Sequence, residues 1–101
     1  MKDNLDFGLK DKVAIVAGGG SNGDGIGNGR ASSILLAEAG AKVLVVDLNK
    51  KSAQNTVDLI KNNGGDAFAI DADLTSSVEC KNVVNEVMKK WKRLDILDNN
   101  I

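Results

Sequence analysis

Val13-Ala14-Ile15-Val16-Ala17 runs directly into Gly18-Gly19-Gly20-Ser21-Asn22-Gly23-Asp24-Gly25-Ile26-Gly27-Asn28-Gly29. The first five residues are apolar without alternation, the pattern of a strand covered on both faces in a parallel sheet. Seven of the next twelve are glycine, too many for a helix or strand, so the chain turns here. Residues 30–39 then read as a helix, with Ala31, Ile34 and Leu35 at helical spacing and Gly40 placed as its left-handed terminal residue. A flexible surface loop is the plain reading of the glycines. Their place between a buried strand and a helix favours another: backbone N–H groups and a helix N-terminus facing an anion that no Cβ keeps away. The loop lacks the Gly-Lys-Ser/Thr ending of a P-loop.

Strand and helix patterns go on alternating outward from this unit. Residues 43–46 are a second buried strand ending at Asp47, and Asn49 is placed to cap a helix whose Ala53, Val57 and Ile60 share a face. Asn62-Asn63-Gly64-Gly65 stops that helix, residues 67–70 form a third strand, and Asp71-Ala72-Asp73 follows. Ser76 and Glu79 have capping-box spacing before a helix with the stripe Val83, Val84, Val87, Met88 and Trp91. Residues 94–97 are the fourth strand, running into Asp98-Asn99-Asn100-Ile101. The order β-α-β-α-β-α-β over one domain, residues 1–101, predicts an α/β fold: a doubly wound parallel sheet with right-handed crossovers and helices on both faces.

Ligands of such sheets sit at the carboxyl ends of the strands, and the polar features of this chain collect there. Within the glycine loop the diphosphate candidates are Gly18, Gly20, Ser21, Gly25, Ile26 and Gly27. Asp47 can accept hydrogen bonds from both ribose hydroxyls of an adenosine and would repel a 2′-phosphate, which favours NAD over NADP. Leu48 follows it where a phosphate-binding Arg would otherwise stand, although Lys50 and Lys51 are near. Asp73 can accept from an adenine amino group while the N–H of Leu74 meets a ring nitrogen; local helix capping is the other reading of Asp73. Asn99 and its neighbour Asn100 can bridge a strand and a ribose, or form an ordinary turn pair. Arg30 is placed either to approach a phosphate or as a solvated surface residue. Cys80 reads as a small inert helical thiol and Trp91 as core.

Composition narrows the chemistry. With no His and no Tyr there is no Ser-His-Asp machinery, no histidine metal site and no phenolic acid or base. One Cys excludes an internal disulfide and a multi-cysteine metal site, so no metal ligands are assigned. Thirteen basic against fourteen acidic residues leave no electrostatic footprint for nucleic acid or an acidic membrane. The apolar runs are far too short to span a bilayer, and a cytoplasmic setting with Cys80 as a thiol is expected.

The four features in order resemble the short-chain dehydrogenase/reductase family. Its members show Thr-Gly-x-x-x-Gly-x-Gly after strand one, an acidic or basic residue after strand two, Asp-Val/Leu after strand three and Asn-Asn-Ala-Gly after strand four. Here the corresponding pieces are Ala17-Gly18 with a later Gly-x-Gly, Asp47, Asp73-Leu74 and Asn99-Asn100-Ile101. Two registers fit the loop: Gly23-x-x-x-Gly27-x-Gly29 has the family spacing, and Gly25-Ile26-Gly27 has its wording. Either way the loop is longer than usual, and which glycines meet the diphosphate stays open. The resemblance implies a Rossmann-like sheet in strand order 3-2-1-4, truncated after the fourth strand, as the NAD(H)-binding part of an oxidoreductase that moves hydride between nicotinamide and a carbonyl or alcohol.

The resemblance also implies a catalytic Ser and Tyr-x-x-x-Lys beyond the fourth strand. None of them is in this chain, so no catalytic residue is assigned, and weak cofactor binding without turnover is expected. A sheet ending at strand four presents a bare edge, from which self-association is expected. Two alternatives remain: an S-adenosylmethionine-dependent methyltransferase-like domain, which also places acids after strands two and three, and a non-catalytic nucleotide-binding remnant.

Overall fold

Strands that are apolar on both faces must be covered on both, and the chain does this by sending alternate side chains to opposite layers. The computed structural model describes residues 8–20 and 27–100. β1 (Val13–Ala17) leads to α1 (Asn28–Glu38), β2 (Lys42–Asp47), α2 (Lys50–Asn62), β3 (Ala67–Asp71), α3 (Ser77–Trp91) and β4 (Ile96–Asn99). The strands pair in parallel in the order β3-β2-β1-β4, as the family resemblance implies. Register places Ile15 of β1 between Leu44 of β2 and Leu97 of β4.

Period-two alternation sorts the core into two layers. Val16, Val43, Val45 and Ala67 pack with Ala53, Val57 and Ile60 of α2 and with Ile34 and Leu36 of α1. Val13, Ile15, Leu44 and Val46 pack with Val83 and Val87 of α3. Trp91 joins the second layer and meets Phe68 edge-on at 5.1 Å between ring centroids. Helices therefore lie on both faces, the doubly wound arrangement. Among the described residues no helix is long and apolar enough to cross a membrane.

Several local boundaries differ from the periodicity. α1 begins at Asn28, two residues earlier than composition indicates, because Ala31 N–H donates to Gly27 O at 3.0 Å and closes the first turn through Gly29. Leu35 is 64% exposed, since the sheet meets the side of α1 that carries Ile34, Leu36 and Ala37. Val84 and Met88 are likewise exposed, leaving Val83 and Val87 as the buried part of the α3 stripe. β4 begins at Ile96 rather than Leu94. Asp95 sets its entry: its N–H donates to Val13 O, and its carboxylate accepts from Val13 N–H at 2.9 Å. The paired Arg93 guanidinium and the Val13 N–H hold the Asp95 carboxyl below its ordinary value.

The capping box of α3 is only half built. Ser76 Oγ accepts from Glu79 N–H at 3.3 Å, but the Glu79 carboxylate reaches back to Asp73 N–H at 2.8 Å instead of to the cap residue. Ser76 N–H is already taken by Asp73 O. Ser76→Ala should lower the unfolding free energy by about 1 kcal/mol, read as a fall in urea midpoint at unchanged slope. An unchanged midpoint would mean that the cap contributes nothing.

Candidate functional site

A cavity of about 460 Å³ opens at the carboxyl edge of the sheet. Its floor is the turn after β1. Gly18 has φ +73°, a left-handed conformation that favours glycine, and a Cβ there would stand 3.0 Å from Asn100 O. The N–H groups of Gly18 and Gly19 both donate to Val46 O, at 2.8 and 3.1 Å, and lash the turn to the end of β2. α1 then passes over the turn so closely that a Cβ on Gly29 would overlap the Gly18 carbonyl oxygen.

The wall above the turn is the N-terminus of α1. Gly27, Asn28 and Gly29 line the cavity. Gly27 is the cap residue; among the described residues no side chain caps the helix, and its first turn has no acidic residue. The positive end of the helix dipole therefore borders the cavity unneutralised by its own turn.

β2 and β3 supply the carboxylates. Asp47 ends β2 with Oδ2 accepting from Gly20 N–H at 3.1 Å and Oδ1 accepting from Asn49 N–H at 2.9 Å. Each oxygen keeps further acceptor capacity toward the cavity. Leu48, 75% exposed, covers one side. Lys50, the nearest base in sequence, lies 4.0 Å from Asp71. Asp73 accepts from the Thr75 hydroxyl at 2.6 Å and the Thr75 N–H at 2.9 Å. These bonds, the hydroxyl's first, hold the Asp73 carboxyl below its ordinary value.

Of the residues singled out from sequence, the cavity gathers Gly18, Gly20, Gly27, Asp47, Leu48, Asp73 and Leu74. Ser21, Gly25 and Ile26 lie outside the described residues. Asn99 is placed elsewhere. It pairs with Ala17 and lies with Ile15, Ala17 and Leu97 along a second, more apolar cavity of about 360 Å³ on the α3 side. The next residue, Asn100, lines the first cavity, as alternation along a strand requires.

Arg30 takes neither place considered for it from sequence. It is 5% exposed, with Nε donating to Thr56 Oγ1 at 2.8 Å and a terminal nitrogen donating to Ser52 O at 3.2 Å. The Thr56 hydroxyl in turn donates to Gly19 O at 2.9 Å. Thr56 was legible only as a hydroxyl on the apolar face formed by Ala53, Val57 and Ile60. Cys80 donates its thiol to Leu74 O at 3.1 Å. Among the described residues no group of acidic or Cys side chains is arranged to hold a metal ion.

The sequence matches the family model for short chain dehydrogenases over residues 12–101. It is 40% identical over 98 residues to the 7alpha-hydroxysteroid dehydrogenase of Escherichia coli K12, covering 97% of this chain and 36% of that protein. A Burkholderia xenovorans structure described as a short-chain dehydrogenase/reductase superposes with a TM-score of 0.88 at 39% identity, over 92% of this chain and 37% of that one. A 7 alpha-hydroxysteroid dehydrogenase solved with NADH and 7-oxo glycochenodeoxycholic acid gives 0.81 at 38% identity, over 88% of this chain and 33% of that one. The chain thus spans about a third of the length of each of these proteins. A family match over residues 12–101, together with a close superposition of the fold, leaves one assignment: the chain belongs to the short-chain dehydrogenase family.

Proposed function

We propose that the chain binds a nicotinamide adenine dinucleotide at the carboxyl edge of its sheet, NAD(H) in preference to NADP(H). The observation that carries this reading is that one cavity joins the N-terminus of α1 to Asp47 and Asp73. The residues fit the group: bare glycine backbone where a diphosphate would lie, a carboxylate at ribose range beyond it, and an Asp-Leu pair beside that. Because Gly18, Gly19 and Gly20 already donate within the protein, the diphosphate donors among the described residues are those at the start of α1. The relative solved with NADH supports the dinucleotide; the charge of Asp47 supports the choice between the two.

In a longer protein of this family the bound nicotinamide would exchange hydride with a carbonyl or alcohol. This chain contains no Tyr, the acid/base that the resemblance implies, so these 101 residues are assigned cofactor binding without turnover. The family match gives no support to a methyltransferase-like domain. A cytoplasmic setting belongs to the same reading and accords with Cys80 as a free thiol.

The test is a fluorescence titration of the full chain with NADH and NADPH, with S-adenosylmethionine as control. NADH should bind at least about tenfold more tightly than NADPH, a difference of about 1.4 kcal/mol. Equal affinities sink the NAD preference, and binding of S-adenosylmethionine alone sinks the dinucleotide reading. Self-association is a second part of the proposal. β4 pairs only with β1 among the described strands, and Leu97 on it is 66% exposed beside the apolar cavity. Such an edge is a template for a second chain. Sedimentation velocity should show concentration-dependent dimers or larger species; a monomer at every concentration removes this part.

A further inference from the structure

The Gly19 carbonyl and the Gly20 N–H lie in one trans peptide plane and point in opposite directions within it. The two ends of that plane are held by different elements of the β2–α2 unit. Thr56 Oγ1 donates to Gly19 O at 2.9 Å, and Asp47 Oδ2 accepts from Gly20 N–H at 3.1 Å. We propose that Thr56 is a positioning residue for dinucleotide binding, locking the Gly19–Gly20 peptide so that its N–H, not its carbonyl, faces Asp47. This inference rests on the cofactor reading above.

The direction of the Thr56 hydroxyl follows from its partners. It has one hydrogen to give and two lone pairs to offer. Arg30 Nε–H occupies a lone pair at 2.8 Å. Two carbonyls compete for the hydrogen, Gly19 O at 2.9 Å and Ser52 O at 3.3 Å, and Ser52 O also accepts from the Arg30 guanidinium. The hydrogen therefore goes to Gly19. Thr56 is fully buried, so water does not replace it at the Gly19 carbonyl.

The lock matters because the alternative orientation is hostile to the cofactor. With the peptide turned over, the Gly19 carbonyl would face the Asp47 carboxylate, acceptor against acceptor, at the cavity edge where ribose and diphosphate meet. There is no room to relieve this by shifting the turn sideways. A Cβ at Gly20 would already lie 2.6 Å from Ser52 Cβ and 3.0 Å from Asp47 Oδ2, so α2 is packed flush against the turn. One hydroxyl on α2 thereby sets both the turn beneath the diphosphate and the carboxylate that reads the ribose.

The experiment compares Thr56→Val, which keeps the shape and removes the hydroxyl, with Thr56→Ser, which keeps the hydroxyl. NADH affinity is measured by fluorescence and Gly20 amide exchange by NMR, both on the full chain. Thr56→Val should weaken NADH about tenfold and speed Gly20 exchange by at least as much, while Thr56→Ser stays within about twofold of wild type. A loss of packing alone would make the smaller Ser variant at least as weak as the Val variant. If Thr56→Val does not fold, Gly20 exchange in the wild-type chain decides: an amide as labile as one in an open loop overturns the lock. Unchanged NADH binding in a folded Thr56→Val chain overturns the positioning role alone. A wild-type chain that binds neither NADH nor NADPH overturns the cofactor reading and, with it, Thr56's part in it.

Discussion

Gly29→Ala should abolish NADH binding and destabilise the fold by an amount at or beyond the upper end of about 1–3 kcal/mol. Helix propensity alone predicts the opposite, because Gly29 lies in the first turn of α1 and alanine is the better helix former by about 1 kcal/mol. The contact decides. The new methyl group would overlap the Gly18 carbonyl oxygen and stand 2.7 Å from its carbon. Gly18 cannot retreat, since its N–H is bonded to Val46 O and Asn100 N–H is bonded to Ala17 O just before it. α1 must therefore lift off the turn, carrying its N-terminal N–H groups away from the cavity. Ser32→Ala, three residues further along the same helix, is the comparator and should stay within about 0.5 kcal/mol of wild type. Urea unfolding and NADH titration of both variants make the measurement. A Gly29→Ala chain as stable as wild type would falsify the close passage of α1 over the turn.

The glycine run and the apolar pentad before it make the β-α-β beginning legible, because composition and periodicity there act on one element at a time. The ends of β2 and β3 are legible for the same reason: Asp47 and Asp73 follow unbroken apolar runs, and the fold brings strand ends together. What sequence reading misses is set by partners far along the chain. Arg30 reads as a surface cation, yet it is buried because Thr56 and the Ser52 carbonyl, some twenty residues on, accept its hydrogen bonds. Asn28 and Gly29 read as loop, because glycine content says nothing of a helix started by the Gly27 carbonyl. Asn99 and Asn100 are indistinguishable by type. Only the register of β4 against β1 sends the first to the α3 side and the second to the main cavity. A slip of one residue in the pairing of β4 with β1 would exchange the two, and that register is set by contacts more than eighty residues apart in the chain.

Asp47→Ala should weaken NADH about a hundredfold and leave NADPH unchanged or tighter, so that discrimination between them collapses. Two hydrogen bonds from ribose hydroxyls to a carboxylate are each worth about 1.5–3 kcal/mol, and their partial replacement by water brings the sum toward a hundredfold. NADPH has no such loss to suffer, for the same carboxylate repels a 2′-phosphate at a few ångströms; at an effective dielectric of about 20 that repulsion is several kcal/mol before screening. Lys50 does little to cancel it, because its ammonium lies beside Asp71. The variant also removes the partners of Gly20 N–H and Asn49 N–H, so some stability is lost as well. That loss is the reason to measure both dinucleotides. A loosened turn weakens NADH and NADPH alike, whereas loss of the ribose contact and of the charge weakens only the first. Asp47→Asn separates the remaining terms: its carbonyl oxygen can still hold the Gly20 amide, but it carries no charge to oppose a phosphate. If both variants lose the two dinucleotides in equal measure, Asp47 holds the glycine turn and does not select the cofactor.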